Sequence, residues 1–255
     1  MLSNLAERFP TAIGPVVDGS VVVRVPEVVL GWRGFSREAW RAARCRHGKR
    51  HKGPCDPLDG VDFTAKQAFL APLTWPGTEN DPRVMGRRDI FFHQYMNNWP
   101  DVVVAAWLVD RAGVRPEDLV NEVFYLSEKS EWFARAQVPP RKGDALRAAG
   151  TRTVARFLPP AFFSAFAALA QSNGGDHEIN VDLFAGTPTY SALVEVKHED
   201  HPAEHQELVL GAAALAARSA GLPLWTAIIR IDDRPGAPPL RPGERLEPLV
   251  RVPAA

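Results

Sequence analysis

Three residues in the C-terminal half of the chain have the types and spacing to act on a phosphodiester. Asp182 lies in Ile179-Asn180-Val181-Asp182-Leu183-Phe184-Ala185-Gly186, and Glu195 and Lys197 end the run Ala192-Leu193-Val194-Glu195-Val196-Lys197. Alternate residues of a strand share a face, so Leu193, Glu195 and Lys197 project together and Val194 and Val196 project the other way. If the two runs pair as a hairpin, Asp182 joins them. Two carboxylates suit a hard divalent cation, Mg²⁺ or Mn²⁺, which takes oxygen ligands and often needs only one or two from the protein. Asp182 and Glu195 are therefore the expected metal ligands. Lys197 is expected to hold an attacking water or to neutralise charge developing on the phosphate. A Glu-x-Lys triplet alone is also what a solvated strand end with a surface ion pair carries. The combination says more: an apolar strand ending in the pair, an acid one strand earlier, and Gln206 on the helical pattern that follows.

The elements that must position these residues read as follows. A strand over about 178–185 turns through Gly186-Thr187-Pro188 into a strand over 190–197. A polar loop leads to a helix from about Pro202 to Ala220, which stops at Gly221-Leu222-Pro223, and an apolar strand runs from Leu224 to Ile231. Strand, strand, helix, strand is an α/β order, and the last crossover is long enough for parallel pairing. The expected architecture is a mixed central sheet flanked by helices, with a mainly helical and loop elaboration at the N-terminus. Upstream, the β-branched run 19–30 predicts one or two short strands. Ser36 caps a helix over about 37–47. Residues 48–62 and 71–90 read as long loops. Residues 101–111 fit a helix or a buried strand. Pro116-Glu117 opens a helix through about Ala136, and Pro159-Pro160 opens another over Ala161 to Gln171. The proline-rich tail after Asp232 is expected to wrap the surface or fray. This divides the chain into 1–115, an elaboration with a basic loop; 116–235, the α/β core; and 236–255, the tail.

Composition bounds what this core can serve. The chain has 255 residues, 45% of them hydrophobic, and a formal net charge of zero. It can bury a core but has no overall attraction for polyanions, so any nucleic-acid site must come from local segregation of charge. The apolar runs are too short and interrupted to span a bilayer, and the first residues lack the pattern of a secretory leader. With only Cys45 and Cys55, no disulfide scaffold is expected, and the default location is the cytoplasm.

Asp-x12-Glu-x-Lys across two strands resembles the PD-(D/E)XK nuclease superfamily. Val181-Asp182-Leu183-Phe184, then Leu193-Val194-Glu195-Val196-Lys197, then Gln206, is similar to its VRR-NUC branch, although Val181 stands where that branch carries proline. The resemblance covers about residues 178–231. It implies a restriction-endonuclease-like core and a Mg²⁺-dependent endonuclease. Asp182 and Glu195 would be metal ligands, Lys197 the catalytic lysine and Gln206 a supporting residue. Such folds often add a Glu from an earlier helix, here Glu122 or Glu128. DNA is the expected substrate, RNA is left open, and the expected setting is restriction, antiviral defence or repair. A second copy of the chain is a further candidate partner, since many double-strand cutters are dimers.

Two other stretches carry chemistry. Cys45, His47, His51 and Cys55 offer four N/S ligands within one loop, the number a structural Zn²⁺ takes. Arg41, Arg44, Arg46, Lys49, Arg50 and Lys52 surround them with no acid between Glu38 and Asp56. This is the strongest charge segregation in the chain and suggests a phosphate-contacting patch. A weaker basic segment runs from Arg141 to Arg156. The residues thus leave two alternatives beside the nuclease: a non-catalytic nucleic-acid-binding protein with a degenerate nuclease core, and a zinc-bearing interaction protein. His198, His201 and His205 read as a polar loop and helix start.

Overall fold

Val-rich sequence at the N-terminus forms strands because β-branched side chains suit a pleated, half-buried surface. β1 (Ala12–Val17) and β2 (Ser20–Arg24) are a hairpin closed by Asp18 and Gly19, both at positive φ (49° and 69°), as a two-residue turn of this hand requires. Pro26 ends the ladder, and β3 (Glu27–Gly31) enters a different sheet with four consecutive buried residues. That burial pattern belongs to a strand covered on both faces. In this computed structural model the described residues are 1–32, 99–123, 152–174 and 181–254.

The main sheet has six strands. β4 (Leu119–Val123), β5 (Val181–Thr187), β6 (Tyr190–Lys197), β7 (Leu224–Asp232) and β8 (Leu240–Pro242) join β3 in the order β4-β5-β6-β7-β3-β8. β6–β7 and β7–β3 are parallel, and the other pairs are antiparallel. β9 (Leu249–Arg251) completes a small sheet with β1 and β2. Helices α1 (Leu2–Arg8) and α2 (Trp99–Ala112) lie on one face of the main sheet, and α3 (Pro160–Ser172) and α4 (Glu204–Ser219) on the other. The protein is therefore mixed α/β, with a mixed sheet flanked by helices. Strands from all three stretches of the expected division share that one sheet.

Packing explains how closely α4 sits. Its buried residues are Leu210 and six small ones, Gly211, Ala212, Ala213, Ala214, Ala216 and Ala217. A methyl group on Gly211 would lie 2.9 Å from a Val250 methyl carbon, so the smallest residue stands where α4 meets the small sheet. α4 is also the crossover that lets β6 and β7 run parallel. On the other face Trp225 is fully buried, and its indole N–H donates to the Phe9 carbonyl at 2.8 Å, tying the N-terminal segment to β7. Burying one such large apolar side chain contributes on the order of 2 kcal/mol.

Several sequence expectations change. Pro116 does start a helical turn, but it ends at Asp118 and the chain continues as β4, not as a helix toward Ala136. The buried Asp118 carboxylate is taken by Arg115 and Arg156, and pairing with β5 outweighs the local helix signal. Residues 101–111 are helical, within α2. The tail does not fray: β8 pairs with β3, and β9 pairs with β2. The described residues before 116 hold two helices, α1 and α2, and also the three strands β1, β2 and β3, for the β-branched reason given above. The helix expected over 37–47 and both long loops lie outside the described residues.

Candidate active site at the β5–β6 strand pair

β5 and β6 are antiparallel, with Leu183 opposite Val194 and Phe184 opposite Leu193. One step further along this register brings Asp182 opposite Glu195. Phe184 and Leu193 both belong to the core layer under α3 and α4, so by alternation Asp182, Glu195 and Lys197 face that same side. Asp182 Oδ2 accepts the Val196 backbone N–H at 2.8 Å, which locks the acid across the strand pair. Lys197 Nζ donates to Glu195 Oε1 at 2.7 Å and lies 3.5 Å from Asp200 Oδ2. Gln206, on the first turn of α4, donates its side-chain N–H to the same Glu195 Oε1. The four residues singled out by sequence thus meet in one cluster.

Burial separates this cluster from a solvated strand end. Glu195 is 1% exposed, and the Lys197 side chain is 8% exposed. Glu195 Oε2 is buried with no hydrogen-bond donor against it. Leaving a carboxylate oxygen in that condition is costly unless a proton or a cation joins it. The titration behaviour agrees. Burial, and then the charge of Asp182, push Glu195 up to about 8, against the pull of Lys197. Burial also raises Asp182, opposed by the Val196 N–H and the Lys197 charge. For Lys197, burial alone would lower the pKa, but Glu195, Asp200 and Asp182 together raise it. Asp200 resists its own partial burial and is lowered, chiefly by Lys197. One ammonium is shared among three acids, so a proton is retained on the Asp182–Glu195 pair while Lys197 keeps its charge.

These are oxygen donors only, with one buried oxygen left over, and they fit a hard divalent cation that keeps most of its water. Among the described residues no group of three or more His, Cys, Asp and Glu side chains is arranged to hold a metal ion. Glu122 is on β4, not on a helix. Its strand neighbours Asn121 and Val123 pair with Leu183 and Val181, so its backbone lies opposite Asp182. Glu128 lies outside the described residues, as do Cys45, His47, His51, Cys55, Arg41, Arg44, Arg46, Lys49, Arg50 and Lys52. Of the histidines, His198 sits 3.3 Å from Asp233, and His201 and His205 are exposed.

The sequence reading missed Glu27, Asp200 and Arg230, which adjoin the cluster. Arg230 lies opposite Lys197 in the β6–β7 register. Its signal was available in the sequence: a charge set between Ile229 and Ile231 in the apolar run of β7. Comparison of the chain with protein-family models, with curated proteins and with solved structures gave no significant match.

Proposed function

We propose that the chain is a divalent-cation-dependent nuclease that hydrolyses phosphodiester bonds of nucleic acid, with DNA the first choice of substrate. The reading rests on one observation above the others. Glu195 is buried against a second acid, Asp182, with which it shares a hydrogen bond, and against Lys197, so two carboxylates and one ammonium meet largely out of water. The order of Asp182, Glu195, Lys197 and Gln206 on two strands and a helix supports a restriction-endonuclease-like core of the PD-(D/E)XK kind.

In this reading Asp182 and Glu195 hold Mg²⁺ or Mn²⁺, with Glu122 as a candidate third acid. Such an ion, when bound, polarises the scissile phosphate and lowers the pKa of a bound water. The remaining work belongs to the chain. Lys197, kept charged by its acids, orients the attacking water or offers a proton donor to the developing charge on the phosphate oxygens. Gln206 fixes the rotamer of Glu195. Water adds to phosphorus, the P–O bond to the leaving oxygen breaks, and the products are a phosphate monoester and a free hydroxyl. The basic stretch from Arg41 to Lys52 supplies phosphate contacts, and restriction, antiviral defence or repair is the proposed setting.

A second reading has its own support. Glu195 Oε1 is already engaged by both Lys197 and Gln206, as in a core that binds nucleic acid without cutting it. One screen separates the two. Full-length protein is incubated with Mg²⁺ or Mn²⁺ and duplex, single-stranded, modified or branched DNA, and RNA, beside Lys197→Ala. Cleavage by the wild type that the variant loses is expected. Salt-sensitive binding with no cleavage of any form sinks the nuclease reading in favour of the second.

A further inference from the structure

Arg230 is held from two sides. Its Nε donates to Glu27 Oε1 on the neighbouring strand β3, and its Nη1 donates to the Asp200 backbone carbonyl at 2.7 Å. Glu27 is itself 8% exposed, and the Arg230 side chain is 19% exposed, so the pair is largely out of water. Asp200 belongs to the loop between β6 and α4. Its carboxylate accepts the His198 backbone N–H at 3.4 Å and faces Lys197 Nζ at 3.5 Å. The loop begins at Lys197 and ends at the turn that presents Gln206 to Glu195.

We propose that Arg230, clamped by Glu27, is a positioning residue for this site. It holds the Asp200 carbonyl, and through that one bond it fixes both ends of the loop: the ammonium of Lys197 on one side and the amide of Gln206 on the other. The planar guanidinium can serve two acceptors at fixed angles, which an ammonium on a flexible stem cannot reproduce. Polar partners that hold ligating and reacting groups in place commonly change activity 10–100-fold when removed. The proposal rests on the nuclease reading for its effect on rate, but not for its effect on the loop.

The test uses the full chain and three variants, Arg230→Met, Arg230→Lys and Glu27→Gln, with two readouts. Amide hydrogen exchange is followed at residues 198–206 and at β5 and β6. Single-turnover cleavage is followed under the conditions of the preceding screen. Arg230→Met is expected to speed exchange in the loop at least about 10-fold with β5 and β6 unchanged. Its cleavage rate at saturation should fall about 10–100-fold, with the half-saturating enzyme concentration within a few-fold. Arg230→Lys, which keeps the ion pair and the fold, should restore thermal stability but not loop protection or rate. If Arg230→Lys matches the wild type in both readouts, or if loop exchange is unchanged in both Arg230 variants, the proposal is overturned. Should Arg230→Met fail to fold, Arg230→Lys still decides it, and Glu27→Gln, which removes the clamp and keeps Arg230, is expected to speed loop exchange; loop exchange unchanged in it would count against the clamp. A wild type that cuts nothing refutes the nuclease reading alone, since the exchange readout still tests the clamp.

Discussion

Gln206 gives its side-chain N–H to Glu195 and takes the Ala203 backbone N–H on its own Oε1 at 2.8 Å. The second bond fixes which end of the amide meets the acid. It also caps α4, because it satisfies one of the donors that a helix start leaves open. Ala203 has no side-chain acceptor of its own, so the reciprocal bond of a capping box is missing. Gln206→Ala is expected to lower cleavage about 10–100-fold and to cost about 1 kcal/mol of stability. Gln206→Glu keeps the cap but brings a carboxylate to Glu195, and should be less stable than Gln206→Ala at pH 8. Initial rates and denaturant midpoints of both variants check this.

Asp182→Asn and Glu195→Gln keep size and remove charge. Each is expected to weaken Mn²⁺ binding at least about 10-fold and to abolish detectable cleavage. Titration calorimetry of the full chain gives the affinity. Wild-type binding should release protons near neutral pH, because Glu195 holds one up to about 8. Metal affinity equal to wild type in both variants would remove the two acids from the site.

Lys197→Met should separate binding from chemistry. Mn²⁺ affinity is expected to stay within a few-fold of wild type, while the cleavage rate falls about 10²–10³-fold, as for a lost transition-state donor. Equal losses of metal affinity and rate would instead mean that Lys197 serves only to hold the acids.

Stability should depend on pH in two opposite windows. Glu195 has a folded pKa of about 8, above its ordinary value. Its protonated form is therefore favoured by folding. That contribution is complete below about pH 4.5 and is lost as pH rises through 8, at up to about 1.4 kcal/mol per pH unit. Asp232 runs the other way. Hydrogen bonds from Arg234 and Arg241 hold it well below the usual carboxylate range, so its contribution is present above about pH 4 and fades as pH falls further. Urea unfolding with a chelator from pH 3 to pH 9 measures both limbs, and added Mn²⁺ should flatten the alkaline one. An alkaline limb that stays flat without metal would contradict the burial argument for Glu195.

Gly31 closes β3 against the tail. A methyl group there would lie 2.0 Å from the Pro238 backbone oxygen, and a backbone atom cannot step aside as a flexible side chain can. Gly31→Ala is expected to destabilise the protein by about 1–3 kcal/mol, read as a lower thermal midpoint.

Local patterns carried the parts of this structure that are local. The β5–β6 pair, α4 and β7 follow one another along the chain, each with its own stop signal, and Asp182, Glu195, Lys197 and Gln206 ride on them. What the sequence concealed is joined across long separations. Arg230 and Glu27 are 203 residues apart, and nothing in either neighbourhood announces the other. β4 was hidden for a different reason: Pro116-Glu117 is a genuine helix start, honoured for a single turn before pairing with β5 prevails. The tail looked like surface wrapping because prolines dominate it, yet Leu240 and Leu249 each begin a short edge strand, where proline nearby is tolerated.

The position of β3 has a consequence in time. It leaves the ribosome well before its partners β7 and β8, which lie about 200 residues downstream. At roughly 5–20 residues per second, that strand waits on the order of 10–40 s with its edges bare. Newly made chains are therefore most exposed to mispairing at Glu27–Gly31, before the rest of the sheet exists to receive it.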